Sequence, residues 1–183
     1  MPNRNWQVLP DHLQSEMRFK MALLIAHRGI YNRHFAGDPM VNPALGFHLH
    51  GYRYTENWRI VLALTPWMFA RLLFAESPPD IEIPDDWLSE QRRSMDYQLL
   101  GPMVDLPLET GGTKAHLNYH PTLGHYLLQP IALNMQNYAN AREAFEAWNL
   151  VIETRDERLK QMEQQCNWQQ EISRRELFGK FLG

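Results

Sequence analysis

Histidine is the residue type in this chain best suited to chemistry, because a neutral imidazole binds transition metals and titrates near neutrality. Eight are present, and His48-x-His50 with His116, His120 and His125 forms the one cluster of note. Residues i and i+2 of a strand share a face, so His48 and His50 could point at one ion. Around them the sequence has no His-Glu-x-x-His and no cysteine ligand, so structural or surface histidines are the expected reading. Cys166 is the only cysteine. It falls on the apolar seam of a helical pattern, where a packing thiol is expected rather than a nucleophile. One thiol makes no internal disulfide and no Cys-based zinc or iron–sulfur site, which points to a reducing compartment. The G-x-S-x-G elbow, the phosphate loop and the dinucleotide glycine motif are missing, and Gly111-Gly112 reads as a turn. The sequence therefore names no catalytic residue and no cofactor, and the expectation is a protein that is not an enzyme.

Binding is better represented than catalysis. Between Glu76 and Glu90 lie six acidic residues, Glu76, Asp80, Glu82, Asp85, Asp86 and Glu90, with three prolines and no Lys or Arg. Tryptophans concentrate just before and within this stretch, and large rigid aromatics give contact area at low entropic loss. Trp67, Phe69 and Trp87 are the candidate grip for an apolar peptide, with Trp67 and Trp87 expected at the surface. Asp80, Asp85, Asp86 and Glu90 are the candidate attraction for a basic one. Near the C-terminus runs Ser173-Arg174-Arg175-Glu176-Leu177-Phe178, paired arginines followed by apolar residues, as in a twin-arginine export signal but at the opposite end of the chain. Arg174, Arg175 and Phe178 are thus candidates for imitating, or making room for, a partner's signal.

The elements that must position these groups follow from periodicity. Asp11 can cap a helix over residues 11–35, with Leu13, Met17, Met21, Leu24, Tyr31 and Phe35 at helical steps. Glycine and proline at Gly37-Asp38-Pro39 and Asn42-Pro43 stop it. Residues 46–54 and 58–64 read as two strands of a hairpin. Thr65-Pro66 then looks like a cap and first position of a short central helix carrying Trp67 to Phe74. Strand signals return at residues 95–100, 103–108, 113–119 and 124–129, so residues 45–131 hold the sheet, interrupted by the acidic loop 76–90. Tyr138, Ala141, Phe145, Trp148, Ile152, Leu159, Met162 and Cys166 mark a long amphipathic helix over residues 137–171. It either lies on the sheet or forms a dimer or partner-helix seam through residues 138–166, and a basic tail, 172–183, follows. The predicted class is α+β: a mostly antiparallel sheet packed by the N-terminal, central and C-terminal helices in one domain of 183 residues.

Composition sets the outer bounds. Apolar residues at 44% and charged residues at 21% are ordinary for a globular chain, and the net charge of −3 argues against non-specific nucleic-acid binding. The longest aliphatic stretch, Met21 to Ala26, is far too short to cross a membrane, so a soluble cytoplasmic protein is expected.

With these residues in view, the segment Trp58 to Phe74, WRIVLALTPWMFARLLF, resembles the region around Thr-Pro-Trp-Met in the HybE/HupJ family of [NiFe]-hydrogenase assembly chaperones. Leu106-Pro107, Gly124-x-Tyr126-Leu127 leading to Pro130, and Ser173-Arg174-Arg175 with Leu177-Phe178 add shorter matches. The chain departs at Leu127-Leu128-Gln129-Pro130, where relatives carry a cysteine. The resemblance implies a cytoplasmic chaperone that binds a precursor subunit of a [NiFe] hydrogenase. The small subunit with its twin-arginine signal is the favoured partner, held back until its cofactors are in place. The histidines leave a small metal-binding or metal-delivery protein as the alternative.

Overall fold

The computed structural model describes residues 5–55, 57–106 and 113–151. The chain divides into two compact units, Met1–Ala141 and Arg142–Gly183. Of the second, residues 142–151 continue a helix that starts at residue 141, and Arg142 Nε donates to Glu146 2.7 Å away. The predicted helix therefore starts after a turn at Met135–Asn137 rather than at residue 137. Its positions from Ile152 to Cys166, and the tail residues Arg174, Arg175 and Phe178, lie outside the described residues.

The first unit is built on a six-stranded antiparallel sheet, so the expected α+β class holds. In chain order the strands are β1 (His48–Thr55), β2 (Trp58–Leu64), β3 (Phe69–Ala75), β4 (Met103–Asp105), β5 (Lys114–His120) and β6 (Gly124–Ala132). Their spatial order is β1-β2-β3-β6-β5-β4. Two three-stranded meanders thus meet where β3 pairs with β6.

The central helix expected at Trp67 to Phe74 is a strand. Phe69-Ala70-Arg71-Leu72-Leu73-Phe74-Ala75 is almost continuously apolar because both of its faces are covered, and a short run of that kind carries no period to tell helix from strand. Thr65-Pro66-Trp67-Met68 is the turn that joins β2 to β3. Thr65 N–H donates to Met68 O at 2.8 Å, Met68 N–H donates back to Thr65 Oγ1 at 3.1 Å, and Thr65 Oγ1–H reaches Met68 O at 3.2 Å. Residues 95–100 are not a strand either. They pack Tyr97, Leu99 and Leu100 against the core as irregular chain, with Asn118 Nδ2 donating to Leu99 O.

Each face of the sheet carries its own apolar cluster. On one side lies α1 (Glu16–Ile30), capped by Ser15, whose Oγ accepts from Arg18 N–H, and extended by a π-helical turn over Tyr31–Phe35 that closes with Ala36 N–H on Tyr31 O. Phe19, Leu23, Ala26 and Ile30 pack on Val61, Ala63, Ala70, Leu72, Phe74, Tyr126 and Leu128. This stripe is rotated from the predicted one: Met17 is 73% exposed and Met21 and Ile25 lie on the same outer side. On the opposite face Trp58, Ile60, Leu73, Leu117 and Leu127 meet Trp6, Ile81, Ile83, Trp87 and Leu106. Here the cover is coil: the segment before Asp11 and a strap over residues 80–88. Each large apolar side chain buried in this way contributes about 1.5–3 kcal/mol before entropy is counted.

Arg59 is the one buried cation of the sheet, on the α1 side of β2. Its guanidinium donates to Glu76 at 3.0 Å, to Gln14 Oε1 at 2.9 Å and to Leu13 O at 3.3 Å, and it lies against the rings of Phe19 and Tyr54. A buried charge is tolerated when it is paired and hydrogen-bonded throughout, and here it is.

Candidate partner-binding site

The acidic stretch begins where β3 ends. Asn57 clamps this exit: its backbone O accepts from Glu76 N–H at 2.8 Å, its Nδ2 donates to Ser77 O at 2.7 Å, and its Oδ1 accepts from Ser77 N–H at 3.0 Å. Glu76 is committed to Arg59. Beyond the two prolines the chain alternates from Asp80 to Pro84 and then shows Asp85 and Asp86 together on a turn. Ile81, Ile83 and Trp87 are buried, while Asp80, Glu82, Pro84, Asp85 and Asp86 are exposed. An extended segment sends successive side chains to opposite sides, so burying the isoleucines forces the carboxylates outward. Asp80 and Glu82 are exposed on the extended part of the strap, Asp85 and Asp86 on the turn that follows, and Glu90 on the helical turn beyond it. A turn over Asp85–Trp87 and the single helical turn α2 (Ser89–Arg92) end it, with Arg92 stacked 4.3 Å from the centre of the Trp87 ring.

His125 fixes the strap in place. Its Nδ1 accepts from Gln7 N–H at 2.8 Å, so the proton sits on Nε2 and is donated to Trp87 O at 3.1 Å. Burial pushes its pKa below the usual histidine value and keeps this tautomer neutral. One imidazole thus ties the N-terminal segment and the strap to β6. Two glycines make the fit possible. A Cβ on Gly124, which has a φ of +78°, would come within 2.3 Å of Gln7 O, and one on Gly101 within 2.5 Å of the Trp87 ring.

The expected aromatic grip does not form at the surface. Trp67 and Trp87 are each 4% exposed, and Phe69 is buried at the start of β3. Trp67 turns inward from the Thr-Pro-Trp-Met turn, stacks on Phe35 at 4.7 Å and meets His27 edge-on at 5.8 Å. Moreover Trp67 belongs to the cluster under α1 and Trp87 to the cluster under the strap, so the sheet separates them. The exposed apolar material is of another kind: Met17, Met21, Met40, Met95 and Met103 stand among the exposed large hydrophobic residues. No motif marks them, and only the helical register of Phe19, Leu23, Ala26 and Ile30 would have placed Met17 and Met21 outside.

Two cavities border the acidic strap. One, about 500 Å³, lies between residues 5–7 and Leu88-Ser89-Glu90. The other, about 410 Å³, runs between the strap at Asp80, Ile81, Glu82 and Pro84 and strand β4, and is closed by Pro102 and Lys114.

The histidines are mostly spent on structure. His116 Nδ1 lies 2.7 Å from Gly101 O, and His120 Nδ1 accepts from Thr122 N–H. His27 is wholly buried against Trp67, which lowers its pKa to about 3, and burial lowers that of His120 to about 4. His48 and His50 do share the exposed face of the edge strand β1. Among the described residues no group of three or more His, Cys, Asp or Glu is placed to hold a metal ion, and no helix is long and apolar enough to cross a membrane.

A model of the family described as [NiFe]-hydrogenase assembly chaperone, HybE, matches residues 18–180. The chain belongs to the HybE family, and its business is hydrogenase assembly. Comparison with curated proteins and with solved structures returns no match.

Proposed function

We propose that this chain is a cytoplasmic chaperone that binds a precursor subunit of a [NiFe] hydrogenase. The small subunit with its twin-arginine signal is the favoured partner, and binding delays its export until its cofactors are in place. The observation that carries this reading is the strap, where alternate burial of Ile81 and Ile83 exposes Asp80 and Glu82 and the next turn exposes Asp85 and Asp86, with Glu90 beyond them. A segment with adjacent arginines and following apolar residues is complementary to that surface. Each exposed ion pair contributes only about 0–1 kcal/mol, so the carboxylates supply approach and orientation. Affinity comes from apolar contact, for which Met103 beside the strap supplies a flexible, polarisable side chain. Trp67, Phe69 and Trp87 act from beneath the surface by holding the β2–β3 turn and the strap in shape.

The test is capture of purified precursor by wild type and by the quadruple variant Asp80→Asn, Asp85→Asn, Asp86→Asn, Glu90→Gln. Slower association with a weaker salt dependence is expected of the variant. Equal rates at every salt concentration would overturn the role of the strap, and absence of capture by wild type would overturn the partner.

A further inference from the structure

The two edges of the sheet are unlike. β1 is long and bulged, with a register shift between His50 and Arg53 around Gly51, whose φ is +61°. Bulges spoil an edge as a template for a further strand. β4 is short and regular, and its register defines which backbone groups are free. Met103 faces His116, Val104 faces Ala115 and Asp105 faces Lys114. Leu117 N–H donates to Pro102 O and Leu106 N–H donates to Thr113 O, so the hydrogen-bonded pairs fall at the even-numbered positions of β4. Antiparallel pairing alternates hydrogen-bonded with non-hydrogen-bonded pairs. The N–H and C=O of Val104 therefore point at β5, and those of Met103 and Asp105 point away from it. Neither Met103 nor Asp105 has a backbone hydrogen bond on that side among the described residues.

This open edge forms one wall of the 410 Å³ groove, and the acidic strap forms the other. Among the described residues Glu82 and Asp105 outnumber Lys114 and make the groove acidic, while Ile81, Val104 and the 60% exposed Met103 make it apolar between the charges. We propose that the groove takes an extended basic segment of the partner as a seventh strand, paired to Met103 and Asp105 of β4. This docking mode rests on the partner reading above and says how that partner is held. Main-chain pairing supplies an affinity independent of sequence, and alternate side chains supply the choice. Val104 faces the strap side of the sheet and Met103 and Asp105 the other. Consecutive basic residues of an added strand also point to opposite sides, one toward Glu82 and the next toward Asp105. A pair of adjacent arginines is the shortest sequence that satisfies both. A second copy of this chain is disfavoured, because two such acidic edges would repel.

The experiment uses the full chain, purified precursor, and labelled peptides with two adjacent arginines followed by apolar residues. Two further peptides carry N-methyl groups on alternate amides, one set on the odd and the other on the even positions. An added strand turns only one set of amides toward β4, so one N-methylated peptide should bind about tenfold more weakly than the parent and the other nearly as well. Asp105→Lys with Glu82→Lys should weaken the parent peptide by a similar factor, with unchanged thermal unfolding as the check on folding. If wild type captures the precursor but both N-methylated peptides bind like the parent, the added strand is overturned and the partner reading stands. If wild type captures no precursor, both fall. A sedimentation dimer that Asp105→Lys dissociates would replace the peptide by a second copy.

Discussion

Phe19 and Trp87 are buried on opposite faces of one sheet, and what holds each of them differs. Phe19 arrives on α1, an element whose backbone hydrogen bonds are internal apart from its ends, and Ser15 satisfies the first of those. Trp87 arrives on a strap whose backbone is anchored piece by piece, by His125 on Trp87 O and by Asn57 at Glu76 and Ser77. A helical cover is tolerant, because removing one side chain leaves the helix intact. A coil cover depends on single residues, and its outward side chains take no part in the apolar packing. That freedom is why the strap can carry a row of carboxylates while α1 carries an ordinary mixture.

Measurements can break this contrast or sharpen it. On the helical side, Phe19→Ala should cost about 4 kcal/mol through loss of transfer energy and a cavity, read as a lower urea midpoint with a single cooperative transition. On the strap side, Gly101→Ala should cost about 3 kcal/mol, since its Cβ would lie 1.9 Å from Leu117 O and cannot be relieved by moving a flexible side chain. A cost below about 1 kcal/mol would show that Trp87 is not locked as described. His125→Ala leaves Gln7 N–H and Trp87 O without their partner and should cost about 2 kcal/mol. Hydrogen exchange should then quicken in residues 5–9 and 80–88 before it does in α1; a uniform increase would erase the distinction between the covers.

Acid should act on both faces. His27 has a folded pKa of about 3 and His120 of about 4, and burial lowers that of His125 as well, against about 6.5 in the unfolded chain. All are neutral in both states above pH 6.5, where stability is full. As pH falls below 6.5 the unfolded state takes up protons first, so stability drops toward pH 4 and 3, where the folded-state groups finally titrate. For His27 this amounts to about 2 kcal/mol at pH 5. His27→Phe should flatten the fall of melting temperature between pH 6.5 and 5, and an unchanged slope would count against burial of a neutral imidazole there. The smallest expected effect is on folding of the quadruple strap variant, whose melting temperature should stay within about 2 °C of wild type because those carboxylates face water.

Much of this was legible in the sequence, and the failures have physical causes. β2 stands out by Trp58, Ile60 and Val61, β5 and β6 by the turn signals that bound them, and the acidic strap by its lack of Lys and Arg. β3 was hidden because a strand covered on both faces loses its alternation. Met17 and Met21 fit a helical stripe as well as Phe19 and Leu23 do, and spacing alone does not say which stripe meets the sheet. Trp67 and Trp87 read as surface residues because their segments look like a helix start and a loop. In the fold one is the inward residue of a tight turn and the other the inward residue of a strap. The strict alternation Asp80-Ile81-Glu82-Ile83 was the signal for the latter, obscured by the prolines around it.

The division into two meanders joined only at β3 and β6 has a consequence during synthesis. When β1, β2 and β3 have left the ribosome, Phe69 to Ala75 is the outer strand of an unfinished sheet. It is apolar on both sides and unpaired along one edge until Gly124–Ala132 is made. Such a segment is a template for wrong pairing with other nascent chains. A protein whose family guards the assembly of another is thus itself most exposed to misassembly in the interval between its third and sixth strands.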